Sequence, residues 1–137
     1  MTNTIKIGCE AFIRKDSSIL LGLRKNCFGE GTWGLPGGHL EFQEKIIEAV
    51  HRELIEEIGV DFPINDIFLT TIVDDIDKNS DRHYIHCSFE VKYDGQEIKL
   101  MEPDKCSEWK FFDLQTLPEI FPPHIPILKN YLSKKLY

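Results

Sequence analysis

The sequence has no long apolar run and no excess of basic residues, and each absence excludes a class of protein. No stretch approaches the roughly 18 consecutive apolar residues of a membrane span. The N-terminus also lacks the charged-then-apolar pattern of a secretory signal. The net charge of -7 is opposite in sign to that of a nucleic-acid-binding surface. We therefore expect neither a membrane partner nor a nucleic-acid duplex as partner.

Closely paired cysteines are also absent. The chain has four cysteines, at Cys9, Cys27, Cys87 and Cys106, and none of them forms a C-x-x-C pair. This wide spacing indicates neither a zinc site nor a disulfide framework. Free thiols are typical of a reducing compartment, so the sequence predicts a cytoplasmic location.

The rest of the composition is that of an ordinary globular domain. The chain has 137 residues, of which 42% are hydrophobic and 28% are charged, with no repeats or low-complexity tracts. This length suffices for a normal core. We expect a single domain over residues 1–137.

The patterning of apolar residues predicts strands and helices in a mixed order. Strands are expected over residues 5–14, 19–24, 67–73, 84–93 and 109–112, with a hairpin turn at 94–95. Helices are expected over residues 44–58 and 127–136. Strands on both sides of an amphipathic helix, followed by a closing helix, indicate a layered α/β domain.

The first of these helices is acidic on one face and apolar on the other. Glu53, Glu56 and Glu57 stand at i, i+3 and i+4, which places three carboxylates on one strip. Such a strip repels itself unless a cation is present, and carboxylate oxygens suit Mg2+. The core-facing stripe consists of Ile47, Val50, Leu54 and Ile58.

An acidic helix is more often a solvated face with ion pairs, so the residues around it decide the interpretation. Gly59 is placed to end the helix as a C′ residue. The loop at residues 36–38, Pro-Gly-Gly, allows its backbone to approach a ligand or metal closely. Arg52 follows Glu44 by eight residues and precedes Glu56 by four, so it is placed to bridge them. These features favour a metal site.

Residues 38–60, GHLEFQEKIIEAVHRELIEEIGV, match the pattern G-x5-E-x7-R-E-U-x-E-E-x-G-U at every defined position, where U is aliphatic. Nine constrained positions over 23 residues exceed a chance match. The chain therefore resembles the Nudix hydrolases, which use Mg2+ to cleave nucleoside diphosphates linked to another group. The resemblance implies the Nudix fold, a mixed β-sheet sandwiched between α-helices.

Segments outside this box are similar to the MutT-like nucleoside triphosphate diphosphatases, in particular the MTH2-type subgroup. They are residues 20–25, 31–42 and 101–118, and Gln43 departs from the Gly common there. The resemblance implies hydrolysis of NTPs or dNTPs, oxidised purines included, to monophosphate and pyrophosphate. Relatives in this subgroup are often homodimers, and the sequence leaves the oligomeric state open.

Two other functions stay open at this point. The enzyme could act on another nucleoside diphosphate derivative, such as ADP-ribose, NADH, a sugar nucleotide or dihydroneopterin triphosphate. The chain could also be a non-catalytic module that binds a nucleotide, although such modules usually have a degraded box.

The resemblance assigns the metal site residue by residue. It makes Glu53 and Glu57 the main Mg2+ ligands, with Glu56 as a further ligand and the Gly37 carbonyl completing the shell; Mn2+ can substitute. One of the glutamates, with Glu53 as first candidate, would orient or deprotonate the attacking water.

Arg52 and Glu44 complete the catalytic set that the resemblance implies. An additional acid near the metal is expected from either Glu102 or Glu108, and the sequence does not select between them.

Several other residues are candidates for binding the substrate. Arg24 suits a phosphate clamp because a guanidinium can bind two phosphate oxygens, although a surface arginine at a strand end is as good an interpretation. Gly38 and His39 directly follow the loop glycine and could contact phosphate or base, whereas an exposed loop histidine is the competing interpretation.

Trp33 and Trp109 could stack on a nucleobase. For any single aromatic residue, packing in the core is the better expectation. Strand alternation predicts that Trp109 and Phe111 share one side of their strand and that Phe112 faces the other.

Overall fold

The computed structural model describes residues 3–137, which form a mixed seven-stranded sheet with helices packed on both faces. The strands are β1 Lys6–Lys15, β2 Ser18–Arg24, β3 Trp33–Gly34, β4 Gly37–His39, β5 Phe68–Asp77, β6 Arg82–Lys92 and β7 Cys106–Asp113. The helices are α1 Ile46–Ile58 and α2 Ile125–Leu132, and short 3-10 turns occur at Ile64–Asp66 and Pro122–His124. The predicted mixed sheet between helices is confirmed.

The strand order is β3-β2-β1-β6-β5, with β4 also paired to β1 and β7 also paired to β2. The central pair, β1 and β6, is parallel, and the other pairs are antiparallel. One end of β1 therefore pairs with β2, while its other end pairs with the short strand β4. This arrangement places the Gly37–His39 segment beside β1 and in contact with α1.

Two apolar cores lie on opposite faces of the sheet. Cys9, Ala11 and Ile13 of β1 point to the core beneath α1, whereas Phe12 points to the core beneath α2. On β7, Trp109 and Phe111 join the first core and Phe112 joins the second, as the alternation predicts. Fully burying each large apolar side chain contributes about 1.5–3 kcal/mol.

Helix α1 begins two residues later than expected and ends where expected. Gln43 has a left-handed backbone with φ 65, so Glu44 lies in the preceding turn and the helix begins at Ile46. A capping box supports this start, since the Lys45 amide donates to Glu48 Oε1 at 2.8 Å. Gly59 ends the helix in the left-handed conformation with φ 68, as predicted.

The expected hairpin at 94–95 is wrong. After Gly95 the chain crosses to the end of α1, where the Lys99 amide donates to the Ile58 carbonyl. The carbonyls at a helix C-terminus lack partners within the helix, and this segment supplies them. The next strand, β7, then pairs with β2.

Two further differences concern strand and helix ends. Strand β5 extends to Asp77, beyond the expected end at residue 73, and α2 ends at Leu132 rather than at residue 136. Lys134, with φ 56, cannot continue that helix.

Two further observations concern the cysteines and the helices. All four cysteines are free thiols. Among residues 3–137, no helix has both the length and the apolar character to cross a membrane.

Candidate active site

Glu57 lies where the end of α1 meets the glycine loop. Its Oε1 accepts a hydrogen bond from the Gly37 amide at 2.6 Å. Burial raises the pKa of Glu57 well above its ordinary value, and the charges of Glu53 and Glu102 raise it further, against the opposing effects of Gly37 and Arg24. Ionising a carboxyl group in such surroundings is unfavourable unless a cation lies beside it.

Arg52 holds the other acidic side chains of this region in place. Its guanidinium bonds both carboxylate oxygens of Glu44, at 2.8 and 3.1 Å, and reaches Glu53 at 2.8 Å. It also reaches Glu56 at 3.3 Å and the His39 carbonyl at 3.0 Å. The predicted bridge between Glu44 and Glu56 is therefore present.

The pKa values of Glu44 and Glu53 are shifted in opposite directions. The hydrogen bond from Arg52 lowers the pKa of Glu44. Burial raises the pKa of Glu53 in spite of Arg52, with smaller contributions from Glu56 and Glu102. Glu53 and Glu57 are thus the two acids whose ionised forms are destabilised.

Two glycines allow the loop to approach both glutamates. A Cβ at Gly38 would lie 2.3 Å from the Glu53 carboxylate carbon. Gly37 has φ 154, and a Cβ there would lie 2.2 Å from the Cys9 carbonyl oxygen. Any larger residue would therefore displace a carboxylate or the backbone. The role of the Gly37 carbonyl as a metal ligand stays a prediction.

Glu53 and Glu57 offer carboxylate oxygens that suit a hard divalent cation, and Glu102 lies close enough to raise the pKa of both. Within residues 3–137, no three acidic, histidine or cysteine side chains form a preassembled metal cage. Mg2+ does not require one, because it keeps several waters and uses one or two protein carboxylates together with substrate phosphates. The residues present therefore fit such an ion.

Two cavities meet at this site, and Arg24, Leu35 and Glu57 line both of them. The first, of about 250 Å³, also includes Trp109 and is called the Trp109 cavity. The second, of about 330 Å³, also includes His86 and is called the His86 cavity. A ligand whose phosphates lie beside Glu57 could extend into either cavity.

Arg24 lies at the junction with its charge available. Its Nε donates to the Phe28 carbonyl at 3.0 Å, and its guanidinium carbon lies 3.7 Å from the centre of the Phe121 ring. Among the described residues it forms no ion pair with a carboxylate. The side chain lines both cavities, so it is placed to meet a phosphate there.

The remaining predicted substrate residues have different positions. Gly38 and His39 line the His86 cavity, where a ring nitrogen of His39 lies 3.2 Å from the Tyr84 hydroxyl. Trp109 lines its own cavity with the ring against Gly22. In the described part of the chain, its Nε1 is buried and has no hydrogen-bond partner.

Trp33 lines neither of the two cavities. It packs edge-on against Phe112, with ring centroids 4.7 Å apart, in the core beneath α2. Between the two acids left open by the sequence, Glu102 lines the Trp109 cavity, whereas Glu108 is exposed on β7.

Sequence reasoning missed a group of polar residues in the His86 cavity. His86 Nδ1 lies 2.9 Å from Glu10 Oε2, and its Nε2 lies 2.9 Å from Asp75 Oδ2. Burial alone would lower the pKa of His86, but Glu10 and Asp75 outweigh it and leave the pKa raised. The available signal was the run of polar residues at alternate positions of β6, from Arg82 to Ser88.

His124 completes that cavity and stays neutral. Its Nδ1 accepts a hydrogen bond from the Leu35 amide at 3.0 Å. Burial lowers the pKa of His124 to about 3. The two imidazoles, whose pKa values are shifted in opposite directions, lie 6.2 Å apart between ring centroids.

A mixed sheet between helices, with an acidic helix against a glycine loop, is the arrangement of a Nudix hydrolase. The model of the NUDIX domain matches residues 5–131, so the chain belongs to the Nudix family. It is a hydrolase that acts on nucleotide derivatives.

Known relatives differ in the substrates that their names give. The chain is 35% identical over 129 residues to an ADP-ribose pyrophosphatase of Methanocaldococcus jannaschii, covering 94% of this chain and 74% of that protein. It is 30% identical over 86 residues to the nucleoside triphosphatase NudI of Escherichia coli, covering 58% and 61%. A MutT Nudix hydrolase of Burkholderia pseudomallei has a similar structure, with TM-score 0.82, 31% identity and coverage of 96% and 98%.

Proposed function

We propose that this chain is a Mg2+-dependent pyrophosphohydrolase that converts an NTP or dNTP to the monophosphate and pyrophosphate. One observation carries the proposal. Glu57, whose ionised form is disfavoured by burial, and Arg24, which forms no ion pair among the described residues, lie together at the junction of two cavities. A metal-bound triphosphate would satisfy both, since its oxygens bind cations and guanidinium groups.

Each residue of the site has a definite task in this reaction. Arg24 would bind phosphate oxygens at the junction, and Arg52 fixes the Glu53 carboxylate through the 2.8 Å hydrogen bond. The Gly37 amide fixes Glu57. A bound Mg2+ would lower the pKa of the attacking water and neutralise phosphate charge.

Glu53 is the first candidate for accepting the proton of the water. Its raised pKa brings it closer to the working pH, which favours general-base catalysis, and Arg52 keeps the carboxylate oriented. Glu57, which is bound by the Gly37 amide, is better suited to holding the metal.

ADP-ribose is the second candidate substrate. The similarity to the M. jannaschii ADP-ribose pyrophosphatase extends over 94% of this chain and supports it. The two cavities on either side of Glu57 could also accommodate the two halves of such a molecule.

A panel of nucleotides assayed with Mg2+, with products separated by chromatography, tests the proposal. We expect NTPs or dNTPs to give the highest kcat/KM, with monophosphate and pyrophosphate as first products. Orthophosphate as first product, or a preference for ADP-ribose over every triphosphate, would reject the triphosphate assignment.

A further inference from the structure

The floor of the His86 cavity contains a chain of charged side chains that the hydrolysis described above does not use. Glu10 on β1, His86 on β6 and Asp75 on β5 are linked by two contacts of 2.9 Å. Arg82 extends the chain with a 2.8 Å hydrogen bond to Asp75. The side chains of Glu10 and His86 are only 6% and 4% exposed, yet both residues line the cavity.

The cost of burying these charges indicates a role other than stability. Removing a carboxylate and an imidazolium from water costs about as much as their attraction returns, and apolar residues of similar volume often replace such pairs without loss. The opposite face of β6 is packed by Ile85, Cys87 and Phe89 in this way. The buried charges are therefore better explained by what the cavity binds.

Gly8 leaves room for the pair of Glu10 and His86. A Cβ at Gly8 would lie 2.5 Å from Glu10 Oε2 and 2.6 Å from His86 Nδ1. Any side chain at this position of β1 would push the two groups apart. The glycine therefore preserves the contact that orients the Glu10 carboxylate.

Of Glu10 and His86, Glu10 is the residue that can still accept hydrogen bonds from a ligand. Both ring nitrogens of His86 already have carboxylate partners. Glu10 Oε2 accepts from His86, whereas Oε1 has only the Ser88 hydroxyl at 3.4 Å, which is long for a hydrogen bond. An ionised carboxylate has about four lone-pair sites and no donor, so Glu10 can accept further hydrogen bonds.

We propose that Glu10, oriented by His86, determines specificity by accepting two adjacent hydrogen bonds from the nucleotide. The inference rests on the proposed function, because it requires the phosphates of the same nucleotide to lie at the Glu57 end of the cavity. Two parts of a nucleotide present adjacent donors: the 2′,3′-diol of ribose and the N1–H and 2-amino edge of guanine. A substrate that lacks one donor leaves the acceptor unpaired and is rejected.

The test compares kcat/KM for ATP against dATP, GTP against dGTP, and GTP against ITP, with Mg2+. The deoxynucleotides lack a hydroxyl of the diol, and ITP lacks the 2-amino group. We expect the wild type to discriminate in either the deoxy comparisons or the ITP comparison by on the order of 10–100-fold, typical of a hydrogen bond to a charged group. The comparison in which the effect appears identifies the donor pair that Glu10 binds.

Glu10→Gln is the decisive variant, because it keeps the shape and removes half of the acceptor capacity. We expect it to lose activity on the favoured nucleotide and to change little on the analogue, so that the discrimination disappears. Glu10→Asp, which keeps the charge but withdraws the carboxylate, should reduce the discrimination as well. The unfolding midpoints of both variants are measured alongside.

Glu90→Gln provides a matched control. Glu90 lies on the same face of β6 as His86 but accepts a hydrogen bond from Tyr131, outside the His86 cavity. We expect this variant to keep the wild-type discrimination.

The outcomes separate the two proposals. A wild type that hydrolyses no nucleotide refutes the proposed function itself. A wild type that hydrolyses nucleotides without discriminating in any comparison overturns only the role of Glu10, as does a Glu10→Gln variant that lowers all rates by one common factor.

Discussion

At the scale of single residues, the site depends on how closely the backbone approaches two glutamates. Gly38 touches the Glu53 carboxylate and the Gly37 amide binds Glu57, so the loop fixes both acids before any ligand binds. Arg52 adds a third fixed point through its bond to Glu53. Preorganisation of this kind reduces the reorganisation needed during the reaction.

Gly38→Ala should disable the enzyme while leaving it folded. The added Cβ would lie 2.3 Å from the end of the Glu53 side chain, which can move aside, so the fold survives and the carboxylate is displaced. A misplacement of about 1 Å can cost about 100-fold in rate. Steady-state kinetics and thermal unfolding measure both effects. Gly95→Ala is the control for activity: its Cβ position is open, but the φ of 91 makes the variant strained, so it should keep full activity while losing some stability.

Glu57→Gln keeps the shape of the side chain and removes its charge. We expect a loss of at least about 100-fold in rate, comparable to removing a key electrostatic group. The metal-free variant should be as stable as the wild type or slightly more stable, because repulsion from Glu53 is relieved. Denaturant unfolding checks the second part. Near-normal turnover in a folded variant would remove Glu57 from the site.

His86 should make stability depend on pH. Burial opposes its protonation, but Glu10 and Asp75 raise its folded pKa above 6.5. A raised folded pKa contributes stability that is complete below the unfolded pKa and is lost as the pH rises through the folded value. The free energy of unfolding of the wild type should therefore fall from about pH 6.5 upward. His86→Gln should show a flatter dependence over that window, and an equal slope in both proteins would contradict this assignment.

At the scale of elements, helix α1 has one apolar face that packs against the sheet and one acidic face that belongs to the candidate active site. Ala49, Val50, Leu54 and Ile58 are buried against the sheet. The glutamates lie along the other side, against the loop and Arg52. Stability and catalysis should therefore respond to different substitutions within the same helix.

Leu54→Ala tests this division. Leu54 is 1% exposed, so its truncation leaves a cavity and should cost about 2–5 kcal/mol of unfolding free energy. Ile55→Ala, at a neighbour that is 39% exposed, should change stability by about 0.5 kcal/mol or less. Denaturant titrations of both variants give the comparison. Similar losses in the two variants would show that the apolar face has been assigned wrongly.

At the scale of the whole molecule, the sheet brings distant segments to one site. The parallel pairing of β1 and β6 places Glu10 beside His86, and the β1–β4 pairing brings the glycine loop over α1. Residues 22–35, from β2, β3 and the loop between them, add Arg24, and the segment before β7 adds Glu102. The junction of the two cavities is thus assembled from most of the chain.

Metal removal tests the assembled site. EDTA should abolish activity, and Mg2+ or Mn2+ should restore it. Because binding to the folded state alone stabilises it, a Mg2+ concentration of about 100 times Kd should add roughly 2.7 kcal/mol to the unfolding free energy. Thermal unfolding with and without Mg2+ measures this effect. The increase should be smaller in Glu57→Gln, and an unchanged increase would place the metal elsewhere.

The sequence by itself determined the family, the two faces of α1 and the positions of its acids. Glu53, Glu56 and Glu57 lie on one strip because helical geometry fixes the relation of residues three and four apart. The bridge from Arg52 to Glu44 and Glu56 followed from the same regularity. These features depend on residues close together in the sequence, so a short sequence pattern is enough to predict them.

Only the tertiary structure decided which distant residues join the acids. Strand patterns fix which residues share a face, but the pairing of strands depends on competition among all of them. As a result, β7 pairs with β2, Trp33 packs in the core beneath α2, and Trp109 lines a cavity. Glu10 and His86 are 76 residues apart, and their contact follows from the register of β1 against β6, which is set by the packing of both cores.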